Sequence, residues 1–454
     1  MARPSDAYLY VGKNKSSLSE TTVEQPKSCL PRKEQQDFVF PPSPEMWETM
    51  SSPISSSSSN EWRNSLILDH YDRVRIFQFN VELVLEKSPA YVGALVYDEF
   101  EGEVKILRDI PGGGHAGSSF GEVHELALRS GCERDLGVSF PPGLIHSASR
   151  AVAFRNKQHV VKNFLERTTW DGCPRLDTFH RIYLGAKDTL YNRAVIKRFI
   201  ISAVARAFRP GSKVDTCLIL EGPQGGFKST FIKVLFMCPQ WVNDTPLDLK
   251  SKDAHIGLQG KWAIELAELD SLSSADAGRV KAFLSIERDT FRAPYERCTR
   301  EYPRSCVFVG TCNESAYLQD VTGGRRFWPL TIGNIDLIAL VRDREQIWAE
   351  AVHYYKHGEP WHLTFEEEIL AKEEQDNRRI EDPMEAPIGA YLATRPDTTI
   401  EEVLREALDM KAYRANSSYG RKVSQILGGV FGWERGKVVR GGARVNGYSR
   451  PLDE

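Results

Sequence analysis

No run of about 18 apolar residues occurs in the 454-residue chain, so a membrane span is not expected. The N-terminus is polar and charged and lacks an apolar signal-peptide core, which points to the cytoplasm. Cysteine is sparse and scattered, at Cys29, Cys132, Cys173, Cys217, Cys238, Cys298, Cys306 and Cys312. None forms a C-x-x-C pair and no histidine pair has zinc-finger spacing, which argues against structural zinc and leaves free thiols in a reducing compartment. Internal repeats of solenoid length are missing. A strong charge of one sign is also missing. The formal net charge of −3 identifies no partner, so charge must be read segment by segment.

What the chain does have is 41% hydrophobic and 27% charged residues, the composition of a globular protein with a sizeable core. Its length allows two or three domains. Residues 1–71 are rich in Ser and Pro, including Ser55 to Ser59, and read as a tail that cannot offset its own chain entropy, with a short docking segment around Phe38–Phe40. Residues 72–150 read as a small α/β module. Its run Gly112-Gly113-Gly114 lacks a following Lys-Ser/Thr and a helix, so it is read as a plain loop. Residues 151–211 are helical by period and lead into 212–380, where strand-like runs alternate with helical ones, the pattern of a parallel α/β sheet. Residues 381–454 form a separate small unit.

The segment Thr216 to Leu220 is a short apolar strand. It feeds the loop Gly222, Pro223, Gln224, Gly225, Gly226, Phe227, Lys228, Ser229, Thr230, followed by a helix with an apolar face. Strand, glycine loop, Lys-Ser, helix is the context of a phosphate-binding loop. Glycines let backbone N–H groups turn inward around a phosphate, and the helix N-terminus adds a positive dipole end. Lys228 is then placed for the β and γ oxygens of ATP, and Ser229 for Mg²⁺. One position breaks the usual pattern. Phe227 stands where a glycine is usual, and its Cβ disfavours glycine-type backbone angles, so a local change of loop path is expected. The bland alternative is a glycine turn with an accidental lysine.

Hydrolysis also needs an acidic group and a residue that senses the γ-phosphate. The run Trp262 to Asp270 offers Glu265, Glu268 and Asp270; strand alternation favours Glu268 for the metal and water, with Glu265 second. E-L-A-E-L is equally good helix sequence, so a solvated helix face stays open. Asn313 ends the apolar run Val307 to Cys312 and is the candidate sensor, though an Asn there is commonly a turn residue. Arg325 and Arg326 follow a glycine turn. One of them could stabilise transition-state charge on a neighbouring subunit's nucleotide; otherwise they are surface ion-pairing arginines.

In this order the pieces resemble the virulence-associated protein E family, whose core is similar to superfamily 3 helicases. Further segments carry the resemblance: Thr169 to Asp177, Ala203 to Arg206 with Pro210-Gly211, Arg292 to Tyr295, Thr322 to Trp328 and Ile347 to Ala351, with weaker echoes at Phe79 to Glu82 and Val96 to Phe100. The resemblance implies an α/β P-loop NTPase core (AAA+/superfamily 3 helicase-like) after a helical lead-in, in a homo-oligomeric, hexameric ring that uses ATP and Mg²⁺ in DNA replication. It implies phosphate and metal binding by Lys228 and Ser229, hydrolysis through Glu268, sensing by Asn313, a finger at Arg325 or Arg326, and a DNA-facing Lys281. No D-x-D pair in a suitable context or zinc cluster marks a primase, so priming would fall to a separate protein.

The C-terminal unit reads as helix, helix and hairpin, the order of a winged-helix-like domain. From Lys411 to Arg450 it carries nine basic residues, among them Arg421, Lys422, Arg435, Lys437 and Arg440, against the single acidic Glu434. Such an excess attracts phosphate backbones, so DNA is the expected partner; a protein-docking wing is the alternative. Two further readings of the whole chain stay open. One is a nucleotide-gated DNA-binding switch or replication and defence accessory; the other is a small-molecule kinase sharing the phosphate loop.

Overall fold

A computed structural model of the chain describes residues 60–451, apart from 268, 270–273, 293–297, 314–316, 319–323 and 411–416. Most of the expected tail, Phe38–Phe40 included, therefore lies outside the described residues, as do Glu268, Asp270, Lys411 and Arg414. Among the described residues no helix is long and apolar enough to cross a membrane.

The first unit sets α1 (Gln78–Lys87), α2 (Glu122–Leu136) and α3 (Pro142–Arg155) around a sheet of order β2-β1-β3. Here β1 is Leu95–Asp98, β2 is Glu103–Ile106 and β3 is Lys157–Gln158. Val81, Val84, Leu95, Ile106, Leu128 and Ile145 fill its core. Gly112 to Gly114 all have positive φ in the turn between β2 and α2, where side chains with a Cβ would be strained. Buried Asp98 joins this unit to the next: its carboxylate accepts the N–H of Phe100 at 3.2 Å and of Val160, first residue of α4 (Val160–Arg167), at 3.3 Å.

The segment Trp170 to Leu176 is a clamp. Asp171 and Arg175 pair through two 2.8 Å hydrogen bonds, and buried Glu350 accepts the N–H groups of Arg175 and Leu176 at 2.6 and 3.0 Å. This fastens the chain ahead of α5 (Leu190–Phe208) onto the later helix that carries Glu350. The residues that carry the resemblance here thus make this clamp.

Five parallel strands form the central sheet: β4 (Cys217–Glu221), β5 (Val242–Asn243), β6 (Ala263–Leu266), β9 (Val307–Cys312) and β10 (Phe327–Thr331), in the order β10-β4-β9-β6-β5. The antiparallel pair β7 (Arg288–Phe291) and β8 (Arg300–Pro303) stands outside it. Period-two alternation divides β4 between two cores. Leu218 and Leu220 meet the side covered by α5, α6 (Lys228–Leu235) and α8 (Leu337–Lys356), while Cys217 and Ile219 meet Val280, Phe283 and Leu284 of α7 (Ser274–Leu284). Both faces are covered, so the strands read as unbroken apolar runs instead of alternating ones. β4 lies where the strand order reverses, and ligands of open α/β sheets bind at the C-terminal ends of strands at such a point.

After α9 (Phe365–Asp376) comes the last unit. It runs α10 (Glu385–Leu392), β11 (Asp397–Thr398), a helical turn over 400–407, α11 (Ser418–Gln425), β12 (Glu434–Arg440) and β13 (Ala443–Ser449), with sheet order β11-β13-β12. The two long strands β12 and β13 pair antiparallel along their length, and β11 adds to β13. Ile388, Leu392, Val403, Leu404, Val423 and Leu427 make its core.

Candidate nucleotide site

The loop between β4 and α6 is built for close packing and open amides. A Cβ on Gly222 would stand 2.8 Å from Cγ1 of Ile332, so any other residue there would have to displace that side chain, and Gly225 has φ of +75°. The N–H groups of Gln224, Gly225 and Phe227 take no acceptor among the described residues, which leaves them for an anion at the helix N-terminus.

Phe227 occupies the N-cap of α6 at φ 60°, ψ 22°. Phenylalanine adopts the left-handed conformation that a glycine would take, at a cost of about 1–2 kcal/mol, and its half-buried ring packs on the core beneath. Phe227→Gly should therefore keep affinity for a fluorescent ATP analogue and shift stability little, because relieved strain offsets lost packing. Phe227→Val, β-branched at positive φ, should lower that affinity by roughly tenfold. Titration of the analogue beside a thermal melt measures both effects.

Lys228 is buried, and its Nζ donates to the carbonyls of Gly222 at 2.6 Å and Pro223 at 3.1 Å and to Oδ1 of Asn313 at 2.9 Å. These oxygens stand where phosphate oxygens would compete for the ammonium. Parallel pairing of β9 with β4 sets Cys312 beside Glu221, and so carries Asn313 to the loop. Ser229 Oγ donates to Oε1 of Glu265 at 2.6 Å, and Thr311 Oγ1 reaches the same oxygen at 3.2 Å. Glu265 is 4% exposed, and its Oε2 has no hydrogen-bond partner among the described residues. A hydroxyl beside a buried carboxylate with a spare oxygen is a donor set that suits Mg²⁺, which takes one or two protein oxygens together with phosphate. The residues present thus fit ATP and its metal.

The chain brings Lys228, Ser229, Glu265 and Asn313 together at one sheet end. Glu268, the favoured acid of the sequence reading, lies outside the described residues. Arg325 and Arg326 are elsewhere. They precede β10, whose Phe327 pairs with Cys217 at the start of β4, so about 13 Å of strand separates them from the loop end. Arg326 donates to Ser285 Oγ at 3.0 Å and approaches Asp215 at 3.8 Å. Arg325 is exposed beside a cavity of about 880 Å³ shared with Lys213, Trp328, Trp361 and Lys372.

Lys281 does not face solvent for DNA. It is 9% exposed, with Nζ 5.9 Å from the centroid of the Phe327 ring. Arg440 is engaged as well, by Glu402 at 2.5 and 2.9 Å and by Asp397 at 2.7 Å, and Lys422 pairs with Asp382 at 2.5 Å. Lys437 donates to Asn446 at 2.8 Å across the β12–β13 pair, while Arg421 and Arg435 are exposed.

Sequence reasoning missed a further group at this end. Buried Glu221 accepts from Tyr317 OH at 2.7 Å, Arg378 Nε at 2.5 Å and Thr331 Oγ1 at 2.7 Å. Burial and the Glu221 carboxylate push the Tyr317 hydroxyl pKa well up, so it remains a donor. A charged residue ending an apolar strand was the one signal for Glu221; nothing local marks Arg378.

A family model described as virulence-associated protein E-like domain matches residues 165–380. No curated protein matches the chain. Among solved structures it is similar to the apo NrS-1 C-terminal region (305–718), at 11% identity over 79% of this chain and 96% of that one, with a TM-score of 0.43. It is also similar to JCV helicase, at 14% identity over 55% and 78% of the two chains, with a TM-score of 0.24. Likeness at this level assigns nothing to the chain, whose fold rests on its own strand order and register.

Proposed function

From a chain that carries a virulence-associated protein E-like domain over residues 165–380, we propose a DNA-dependent ATPase that works as a replicative helicase in a homo-oligomeric ring. The observation that supports this most is the convergence of Lys228, Ser229, Glu265 and Asn313 at the C-terminal end of β4, β6 and β9. In this reading the loop amides and Lys228 bind the triphosphate, and Ser229 with Glu265 would hold Mg²⁺, which supplies charge stabilisation at the phosphates when bound. Asn313 orients the attacking water or the γ-phosphate. Lys228 leaves Asn313 Oδ1 as it moves to phosphate, so nucleotide arrival frees the sensor for that task.

Arg325 and Arg326 stand too far from their own loop to serve it, which makes them candidates for the nucleotide of a neighbouring copy. Arg325 is the better of the two, because Arg326 is already paired within the chain. Arg421, Arg435 and Lys437 present cationic groups on the last helix and wing, where DNA phosphates would lie.

The test is ATP hydrolysis and strand displacement by the full chain on forked DNA. Hydrolysis stimulated severalfold by single-stranded DNA, with displacement of the paired strand, is the expected result. DNA-stimulated hydrolysis without displacement would replace the helicase by a switch. Hydrolysis indifferent to DNA would contradict the DNA-dependent reading altogether.

A further inference from the structure

Buried Glu221 directly precedes the phosphate loop and takes no part in the roles just assigned. A carboxylate at a buried sheet end is costly unless paired and hydrogen-bonded, and Glu221 is both. Its oxygens accept from Tyr317, Thr331 and Arg378, while Arg378 also meets Glu374 and donates through Nη2 to Thr331 Oγ1 at 3.0 Å. A buried ion pair is weak evidence for stability, since apolar residues of similar size serve a core as well. The surroundings of this pair show what else it does.

Two of the Lys228 acceptors are tied to Arg378. The Gly222 carbonyl, 2.6 Å from Lys228 Nζ, belongs to the residue after Glu221. Asn313 is four residues before Tyr317, whose hydroxyl shares Glu221 Oε1 with Arg378 and whose N–H donates to the Arg378 carbonyl at 3.1 Å. The N–H of Leu318 donates to that same carbonyl at 3.0 Å, and Ile380 N returns to Leu318 O at 2.9 Å. Arg378 therefore holds the strand end that starts the loop and the backbone at Tyr317 and Leu318, while the Gly222 N–H donates to the carbonyl of Cys312, the residue before Asn313, at 3.2 Å.

We infer that Arg378 is a positioning residue of the nucleotide site: through Glu221 and Tyr317 it fixes the loop carbonyl and sensor amide against which Lys228 is set. It acts behind the loop, through those partners. The inference rests on the ATP-site reading above and goes beyond it by adding a residue from the segment that leaves α9.

The test titrates a fluorescent ATP analogue with Mg²⁺ into the full chain. Arg378→Gln removes the charge that fixes Glu221 and should raise Kd on the order of tenfold, the usual scale for losing a hydrogen bond to a charged group. Tyr317→Phe deletes one hydroxyl and keeps the ring, so it should fold even if Arg378→Gln does not, and should raise Kd severalfold. Arg198→Gln is the control. Arg198 is buried and paired with Glu359 at 2.6 Å and Glu367 at 2.9 Å, so its loss should lower Tm and leave Kd unchanged. Arg378→Lys, which keeps the charge, should recover part of the affinity. Wild-type binding with unchanged Kd in folded Arg378→Gln or in Tyr317→Phe overturns the positioning role alone. No binding by the wild type overturns the ATP-site reading and the inference together.

Discussion

Lys228→Ala is expected to abolish measurable ATP binding, a loss of roughly 100-fold or more, because charge-assisted contacts to phosphate are the strongest the loop can make. The side chain is buried, and its ammonium is held by two loop carbonyls and Asn313, a short move from where the phosphates would bind. Its removal leaves those acceptors without their ammonium donor, and the loop amides with no cation to balance a triphosphate. Equilibrium binding of a labelled ATP with Mg²⁺ checks the prediction. An affinity within a few-fold of wild type would mean that phosphate is held elsewhere. The variant should also lose any nucleotide-dependent change in oligomer size seen by light scattering.

Glu265→Gln should separate binding from turnover. The amide is nearly isosteric and can still meet Ser229 and Thr311, so ATP affinity should change little. It lacks the negative charge that a divalent cation requires of its few protein ligands. Hydrolysis should fall on the order of 10²- to 10³-fold, the scale seen when one electrostatic participant is removed. Phosphate release at saturating ATP, set beside the binding isotherm, distinguishes this from a loss of affinity. Turnover close to wild type would move the metal role away from Glu265 and back towards Glu268.

The phosphate loop was legible in the sequence because all its parts are contiguous: strand, glycines, Lys228, Ser229 and helix lie within twenty residues of one another. The alternating runs likewise announced a parallel sheet, since strands covered on both faces leave unbroken apolar segments. The choice between Glu265 and Glu268 was harder. E-L-A-E-L suits a strand or a helix, and what brings Glu265 to Ser229 is the parallel register of β6 with β9, Glu265 beside Val309, which no local pattern encodes. The basic C-terminal unit shows the limit of counting charge in a window. Arg440 is neutralised by Asp397 and Glu402, which lie outside the Lys411 to Arg450 stretch where acidic residues were scarce. Lys281 is a similar case, a lysine on a helix that turns out to face Phe327. Arg378 was beyond reach altogether, because its partner Glu221 is 157 residues away in the chain.

The most direct measurement is a calorimetric titration of the full chain with ATP in the presence of Mg²⁺. One nucleotide bound per chain, weakened when Mg²⁺ is withheld and lost in Lys228→Ala, is the predicted result. A flat titration of folded wild-type protein would contradict the assignment of this sheet end as a nucleotide site.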